Sequence, residues 1–237
     1  MRLDLRSIRA IGLAAWGALF GWLWLSGESV RYLGPRTQWV VPLGAVGLTL
    51  AAAGYLRATR DMPSSRARPL ELAGLVALLL PILAAATLAH AQLGSLAASN
   101  KLSSRGIDPS ALARLASRDA STVGFLQLNA AGRDAGLSRE LGLATGKPVQ
   151  LVGFVSSTRE GRRPFELSRF YITCCVADAV PVSVHVSQGT VRRLHVQRDD
   201  WLSVTGVLEH GNREWIVRAV RVEHVDAPSN PYLSFAT

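Results

Sequence analysis

The sequence predicts a membrane-anchored β protein: three transmembrane helices followed by a small OB-like five-stranded barrel. Three observations carry this expectation. Residues 8–25, 39–56 and 72–89 are apolar, with no charge inside them beyond Arg9, and each approaches the ~20 residues a helix needs to cross the hydrocarbon core. From Lys147 onward the pattern becomes short runs of β-branched and aromatic residues broken by Gly, as strands and turns require. Charge divides the same way: residues 1–90 hold nine Arg against four acids, and residues 147–237 hold eleven Lys and Arg against nine acids. The net charge of +9 over 237 residues thus gathers around the apolar segments, where it reads as membrane topology. A nucleic-acid binder would concentrate it on the folded domain. Three regions follow: a transmembrane region (1–90), a polar helical linker (91–146) and an extracytoplasmic β domain (147–237).

The first apolar stretch follows Arg2, Arg6 and Arg9, as a signal peptide would. It is long for a signal core, carries Trp16, Trp22 and Trp24, and has no Ala-x-Ala site after Leu25, so it is expected to be a retained span. Trp22, Trp24, Tyr32 and Trp39 fall where aromatic belts do. Gly17 and Gly21 form a small-xxx-small pair that permits close helix approach, although Gly is common in bilayer helices in any case. Pro81 interrupts the third span. No Asp, Glu, Lys or Arg lies deep in any span, so no intramembrane ion path is visible. The loop between the second and third spans carries Arg57, Arg60, Arg66 and Arg68, whereas residues 90–100 have no Lys or Arg. Positive charge favours the cytoplasmic side, which places the N-terminus inside and residues 147–237 outside.

In the linker, Asp108-Pro109 resembles an N-cap and first helical position, with Leu112 and Leu115 on one face. A second short helix is expected around 137–143, closed by Gly146, and Phe125-Leu-Gln-Leu128 alternates like a short strand. Five strand-like runs then follow, at 149–155, 165–176, 182–186, 201–208 and 215–225. Gly161, Gly189, Gly206 and Gly211 punctuate or bend them. Glycines in mid-strand at 153 and 206 suit a small, partly closed Greek-key barrel, and a five-stranded sandwich is the alternative.

The stretch that draws attention is Ser168-Arg-Phe-Tyr-Ile-Thr-Cys-Cys-Val-Ala-Asp-Ala-Val-Pro-Val182, which holds both cysteines of the chain. Candidate binding residues here are Arg169, Cys174, Cys175 and Asp178. Adjacent side chains on a regular strand point to opposite faces, so the two thiols act together only if the strand bulges or ends there. With Asp178 and His185, they would form a donor set suited to a divalent metal such as zinc. The blander reading packs one cysteine in the barrel and leaves the other exposed or half-buried. A strained disulfide between neighbours is the third. Asp199-Asp200 could pass for an acid pair but reads better as solvated loop. No Gly-x-Ser-x-Gly, phosphate-binding Gly loop or His-Glu-x-x-His occurs, and there is no aromatic ladder for single-stranded nucleic acid.

The double-cysteine stretch resembles the hallmark of the YcgQ-like family of bacterial permease subunits. Two further stretches agree with it: Ser26-Gly-Glu-Ser-Val-Arg-Tyr-Leu-Gly-Pro-Arg36 and Pro228-Ser-Asn-Pro-Tyr-Leu233. The resemblance implies membrane spans, a C-terminal domain of unknown function, and a larger multi-span permease as partner. Some relatives carry a His-rich loop between the second and third spans; residues 57–69 here have no histidine. The resulting expectation is a non-enzymatic accessory subunit of a membrane permease, set in the lipid bilayer, whose outer domain contacts solute or partner, with no nucleic acid. A membrane-tethered thiol or redox protein using Cys174 and Cys175, and a purely structural interaction module, are the alternatives.

Overall fold

The structure, a computed structural model, describes residues 5–61, 69–87, 93–104, 114, 116, 123–132, 134–158, 165–187, 195–211 and 214–233. Expectations resting on Arg2, Arg66, Arg68, His90, Asp108, Pro109, Leu112, Leu115, Gly161 and Gly189 fall outside these residues. The chain divides into two compact units, Met1–Ala91 and Gln92–Thr237.

In the first unit, α1 (Leu5–Leu25), α2 (Val40–Ala58) and α3 (Pro69–Thr87) are helices, with a 3-10 turn at Glu28–Arg31. Among the described residues, two are long and apolar enough to cross a membrane: Arg6–Leu25 and Val40–Ala58. Among the described residues, the apolar part of α3 runs over Pro69–Ala84. Large side chains on these helices, including Leu43, Val46, Leu50, Val76 and Leu80, are exposed, as lipid-facing residues are. Helix α1 packs on both others. Gly17 allows the α1–α2 approach, because a Cβ there would lie 2.9 Å from Thr49 Oγ1, whereas at Gly21 a Cβ would meet nothing within 4 Å. Only half of the small-residue pair is therefore used between these helices. Trp16 Nε1 donates to Leu78 O of α3 at 3.2 Å. At one end of the bundle, Arg6 donates to the carbonyls of Thr59 and Arg60, and Arg9 lies 3.9 Å from Glu71.

The second unit is built on six strands: β1 (Pro148–Thr158), β2 (Phe165–Tyr171), β3 (Val180–Ser187), β4 (Trp201–His210), β5 (Trp215–His224) and β6 (Tyr232–Leu233). Pairing runs β1-β4-β5-β3-β2-β6, and β1 also pairs with β2, so the first five strands close into a ring. All ring contacts are antiparallel except β3–β5. Strand β2 shares one edge between two partners: β1 pairs with its first half and β6, parallel, with its last two residues. The inward positions, among them Val155, Leu167, Val182, Val186, Leu202, Val204, Leu208 and Val217, are almost fully buried. Removing that apolar area from water is the main force closing the ring. Ser168, buried on the opposite face of β2 from Leu167, hydrogen-bonds Ser156 and Ser183 through its hydroxyl at 2.7 Å each.

Both mid-strand glycines sit where backbone crosses closely. A Cβ at Gly153 would lie 2.7 Å from Ser168 O and 2.8 Å from Phe125 Cζ; at Gly206, beside the irregularity at Thr205/Gly206, it would strike the Arg218 carbonyl.

Short helices also belong to the unit, among the described residues α4 (Ser95–Ser104), α5 (Phe125–Ala131) and α6 (Ala135–Glu140). The stretch expected to be a strand at Phe125 is therefore helical. Gln127 Oε1 accepts the Gly124 amide at 3.1 Å, and Phe125, Leu126, Leu128, Ala130 and Ala131 are all buried, so the short helix is held by packing rather than by an amphipathic period. Helix α6 starts on Asp134, whose carboxylate accepts the amides of Gly136 and Leu137. It closes at Gly142 rather than Gly146. Gly142 has φ 57°, and the Leu143 amide reaches back to Ser138 O at 2.9 Å, a Schellman cap.

Candidate functional site

The expected strand 165–176 is two structures. Strand β2 stops at Tyr171, and residues 172–179 form a tight loop that ends in a 3-10 turn at Val176–Asp178. The cause lies in Asp178. Its Oδ1 accepts the Thr173 amide at 3.0 Å and its Oδ2 the Cys174 amide at 2.8 Å. Those amides are the donors a continuing strand would need, and a nearby carboxylate competes well for them. The loop then closes through Asp178 N to Cys175 O and Ala179 N to Val176 O.

Both loop ends are anchored in a small apolar cluster beside the ring. It comprises Ala98 of α4, Phe154, Phe170, Ile172, Ala179 and Tyr232, with Trp201 and Val176 packed against it. Phe154 and Phe170 stack at 5.5 Å between centroids. From α4, the Lys101 ammonium donates to the carbonyls of Ala179 (2.9 Å), Ala177 (3.1 Å) and Val176 (3.4 Å). Lys101 was not legible as a site residue, because its partners lie 75–78 positions away and no local motif marks it.

The loop presents Cys174 exposed and Cys175 half-buried, both as free thiols. Neither packs in the barrel core, so the blander expectation holds only for their exposure. Because the chain bends at Thr173 and Cys174, the two sulfurs stand on one side, 3.8 Å apart. The hydrogen bond to the Asp178 carboxylate, followed by that to Cys175, pushes the Cys174 thiol up to about 11. Burial tends to raise the Asp178 pKa, but bonds from the Cys174 thiol and the amides of Cys174, Thr173 and Cys175 outweigh it and hold the carboxyl below its ordinary value. At neutral pH the site is therefore a carboxylate beside a protonated Cys174.

The structure brings Cys174, Cys175 and Asp178 together and leaves His185 out. His185, on β3, has its Nδ1 3.0 Å from Glu214 Oε2. His224 pairs with Asp200 at 3.2 Å and His210 packs edge-on against Trp215. Among the described residues, no group of three or more His, Cys, Asp and Glu is placed to hold a metal ion. Arg169 is a clamp on backbone. Its guanidinium donates to the carbonyls of Asn230 (2.6 Å) and Pro231 (3.3 Å) and lies 5.9 Å from the Trp201 ring centroid. Burial there lowers its pKa. The Asp199-Asp200 pair lies, as expected, in a loop before β4, with Asp199 exposed and Asp200 half-buried, and both carboxylates cap backbone there. Asp199 accepts the Ser95 amide and hydroxyl at the start of α4, and Asp200 accepts the Gln197 amide at 2.7 Å.

Residues 137–234 match the family model described as the DUF1980 C-terminal domain. No curated protein matches the chain. The matched segment contains β1 to β6 and the whole cysteine loop.

Proposed function

We propose that the chain is a non-enzymatic accessory subunit of a membrane transport system. In this reading α1, α2 and α3 all cross the bilayer, the ring of strands is an OB-like barrel on the outer side, and the cysteine loop is the surface that meets solute or a multi-span permease. The match at 137–234 is consistent with the YcgQ-like family from which the permease expectation came.

The observation that carries a binding rather than a catalytic role is the state of the loop. Its backbone is fixed by Asp178 from within and by Lys101 from α4, and it presents Cys174 exposed and Cys175 half-buried at the surface. A catalytic or redox cysteine needs its thiolate stabilised by a cation or an adjacent base. Here a carboxylate holds the proton on Cys174. Topology has support of its own. The start of α1, the end of α2 and the start of α3 meet through Arg6 and Arg9, and that end carries the arginines that favour the cytoplasm.

Affinity purification of the tagged chain from native membranes tests the reading directly; repeated recovery without any multi-span protein refutes it. Fusions after Thr237 test the topology. Alkaline phosphatase should be active there and green fluorescent protein dark, and the opposite pair of results would put the β unit inside.

A further inference from the structure

Geometry at the two sulfurs points to a ligand class. We propose that Cys174 and Cys175 form a two-thiolate edge that receives one tetrahedral, thiophilic divalent cation of the zinc type, as cargo rather than as a resident structural metal. The accessory-subunit reading enters only in where the cation goes afterwards.

The sulfurs are 3.8 Å apart in the free thiol form. A tetrahedral cation with bonds of ~2.3 Å to sulfur spans an S–S edge of roughly 3.8 Å, whereas a linear two-coordinate cation with similar bonds needs about 4.6 Å. The pair is thus already set for the tetrahedral case, without backbone movement. Adjacent cysteines reach this separation because Asp178 ends the strand and turns Cys174; on a continuing strand the thiols would face opposite ways. The loop cannot relax freely, since Lys101 holds the carbonyls on its far side and Ile172 and Ala179 are buried.

Charge and openness fix the class further. Each thiol gives its proton to solvent as its sulfur bonds the cation, so one dication and two thiols yield a neutral dithiolate complex and two protons, with no change of oxidation state. Asp178, held by two amides, keeps a negative charge beside the bound cation. His185 is held by Glu214, so beyond the two thiols and the neighbouring Asp178 the remaining positions fall to water or to donors from another molecule. Structural zinc sites are closed by four protein ligands. A half-closed site exchanges its ion instead.

The test uses the full chain in detergent micelles with Co2+ as the spectroscopic probe. One Co2+ per chain should give a thiolate-to-cobalt charge-transfer band that Zn2+ abolishes. Cys174→Ser and Cys175→Ser should each lose the two-thiolate band, and His185→Ala should leave it unchanged. Wild-type protein gives a readout independent of how variants fold: Zn2+ should protect both cysteines from alkylation, and a chelator should restore it. No band in wild-type protein, or thiol alkylation indifferent to Zn2+, overturns the proposal; a full band surviving Cys175→Ser overturns the pairing. If the site binds Co2+ but no multi-span protein co-purifies, the accessory-subunit reading fails and the cation site stands. Co-purification without Co2+ binding gives the converse.

Discussion

Replacing Asp178 by Asn should turn Cys174 from a sluggish thiol into a reactive one. The carboxylate bond is the first cause of the raised Cys174 pKa, which stands at about 11 against an ordinary 9.0. At pH 8 roughly one molecule in a thousand is then a thiolate, and full relaxation to the ordinary value would raise that about 100-fold. The thiolate so released is intrinsically less nucleophilic, by about 10-fold over two pKa units, leaving a net gain of at most ~10-fold. The Cys175 hydrogen bond contributes to the same shift, so the comparison belongs in a Cys175→Ser background, where an increase of about 3- to 10-fold is expected. The assay is pseudo-first-order reaction of Cys174 with an aromatic disulfide reagent, followed from pH 7 to 11. Identical profiles with and without the carboxylate, or slower reaction in Asp178→Asn, would refute the assignment of Asp178 as the group that keeps the proton on sulfur. The sign of the linkage is also fixed. A thiol whose folded pKa lies above its unfolded value favours the fold below pH 9.0, and that contribution disappears as the pH rises through about 11.

Arg169→Ala should cost about 2–3 kcal/mol in urea unfolding, since it leaves the Asn230 and Pro231 carbonyls without a charged donor; Arg169→Lys should recover less than half, because an ammonium lacks the fork. Lys101→Met keeps the apolar stem but removes the ammonium, and should speed hydrogen exchange at Asp178 and Ala179, whose amides close the turn that Lys101 covers; unchanged protection there would show that α4 does not brace the loop. Gly153→Ala should destabilise the β unit by about 1–3 kcal/mol, as overpacking does, because the new methyl meets the Ser168 carbonyl at 2.7 Å; an unchanged thermal midpoint would mean that β1 and β2 shift apart freely. At acid pH the loop should loosen: Asp178 favours the fold above its ordinary value of 3.8 and loses that effect as pH falls through its lower folded value, which exchange at the Thr173 and Cys174 amides would read.

Much of the ring was legible because its code is local. Runs of β-branched residues marked β1, β3, β4 and β5 within a few residues of their ends, and Gly153 and Gly206 announced close backbone approach. The apolar helices were equally plain, and among the described residues α1 and α2 meet the length that a span demands. What escaped reading was decided at a distance or by competition. Residues 172–176 have the composition of a strand, yet one carboxylate at 178 takes the amides that the ladder would use. Phe125 to Leu128 alternates by chance, and its neighbours are buried on every side, so no period distinguished helix from strand. Two residues of β6 are too few to leave a pattern. His185 looked available to the cysteines until Glu214, 29 positions on, claimed it. Arg169 read as a binding group because its carbonyl partners belong to a segment with no recognisable element.

The way β6 and Arg169 finish the site has a consequence for biosynthesis. Ile172 N bonds Leu233 O, Tyr232 pairs beside Phe170, and Arg169 grips Asn230. The partner of Arg169 is 61 positions downstream of it. Cys174 and Cys175 precede Asn230 by 56 and 55 positions, so at the ~5–20 residues per second of ribosomal synthesis they are made about 3–11 seconds before the segment that locks their loop. Throughout that interval the two thiols belong to an unfinished chain, open to whatever oxidant or stray metal surrounds it. A nascent chain that stalls before residue 230 would thus carry the pair without its frame, which makes the last few residues a checkpoint on when the site comes into being.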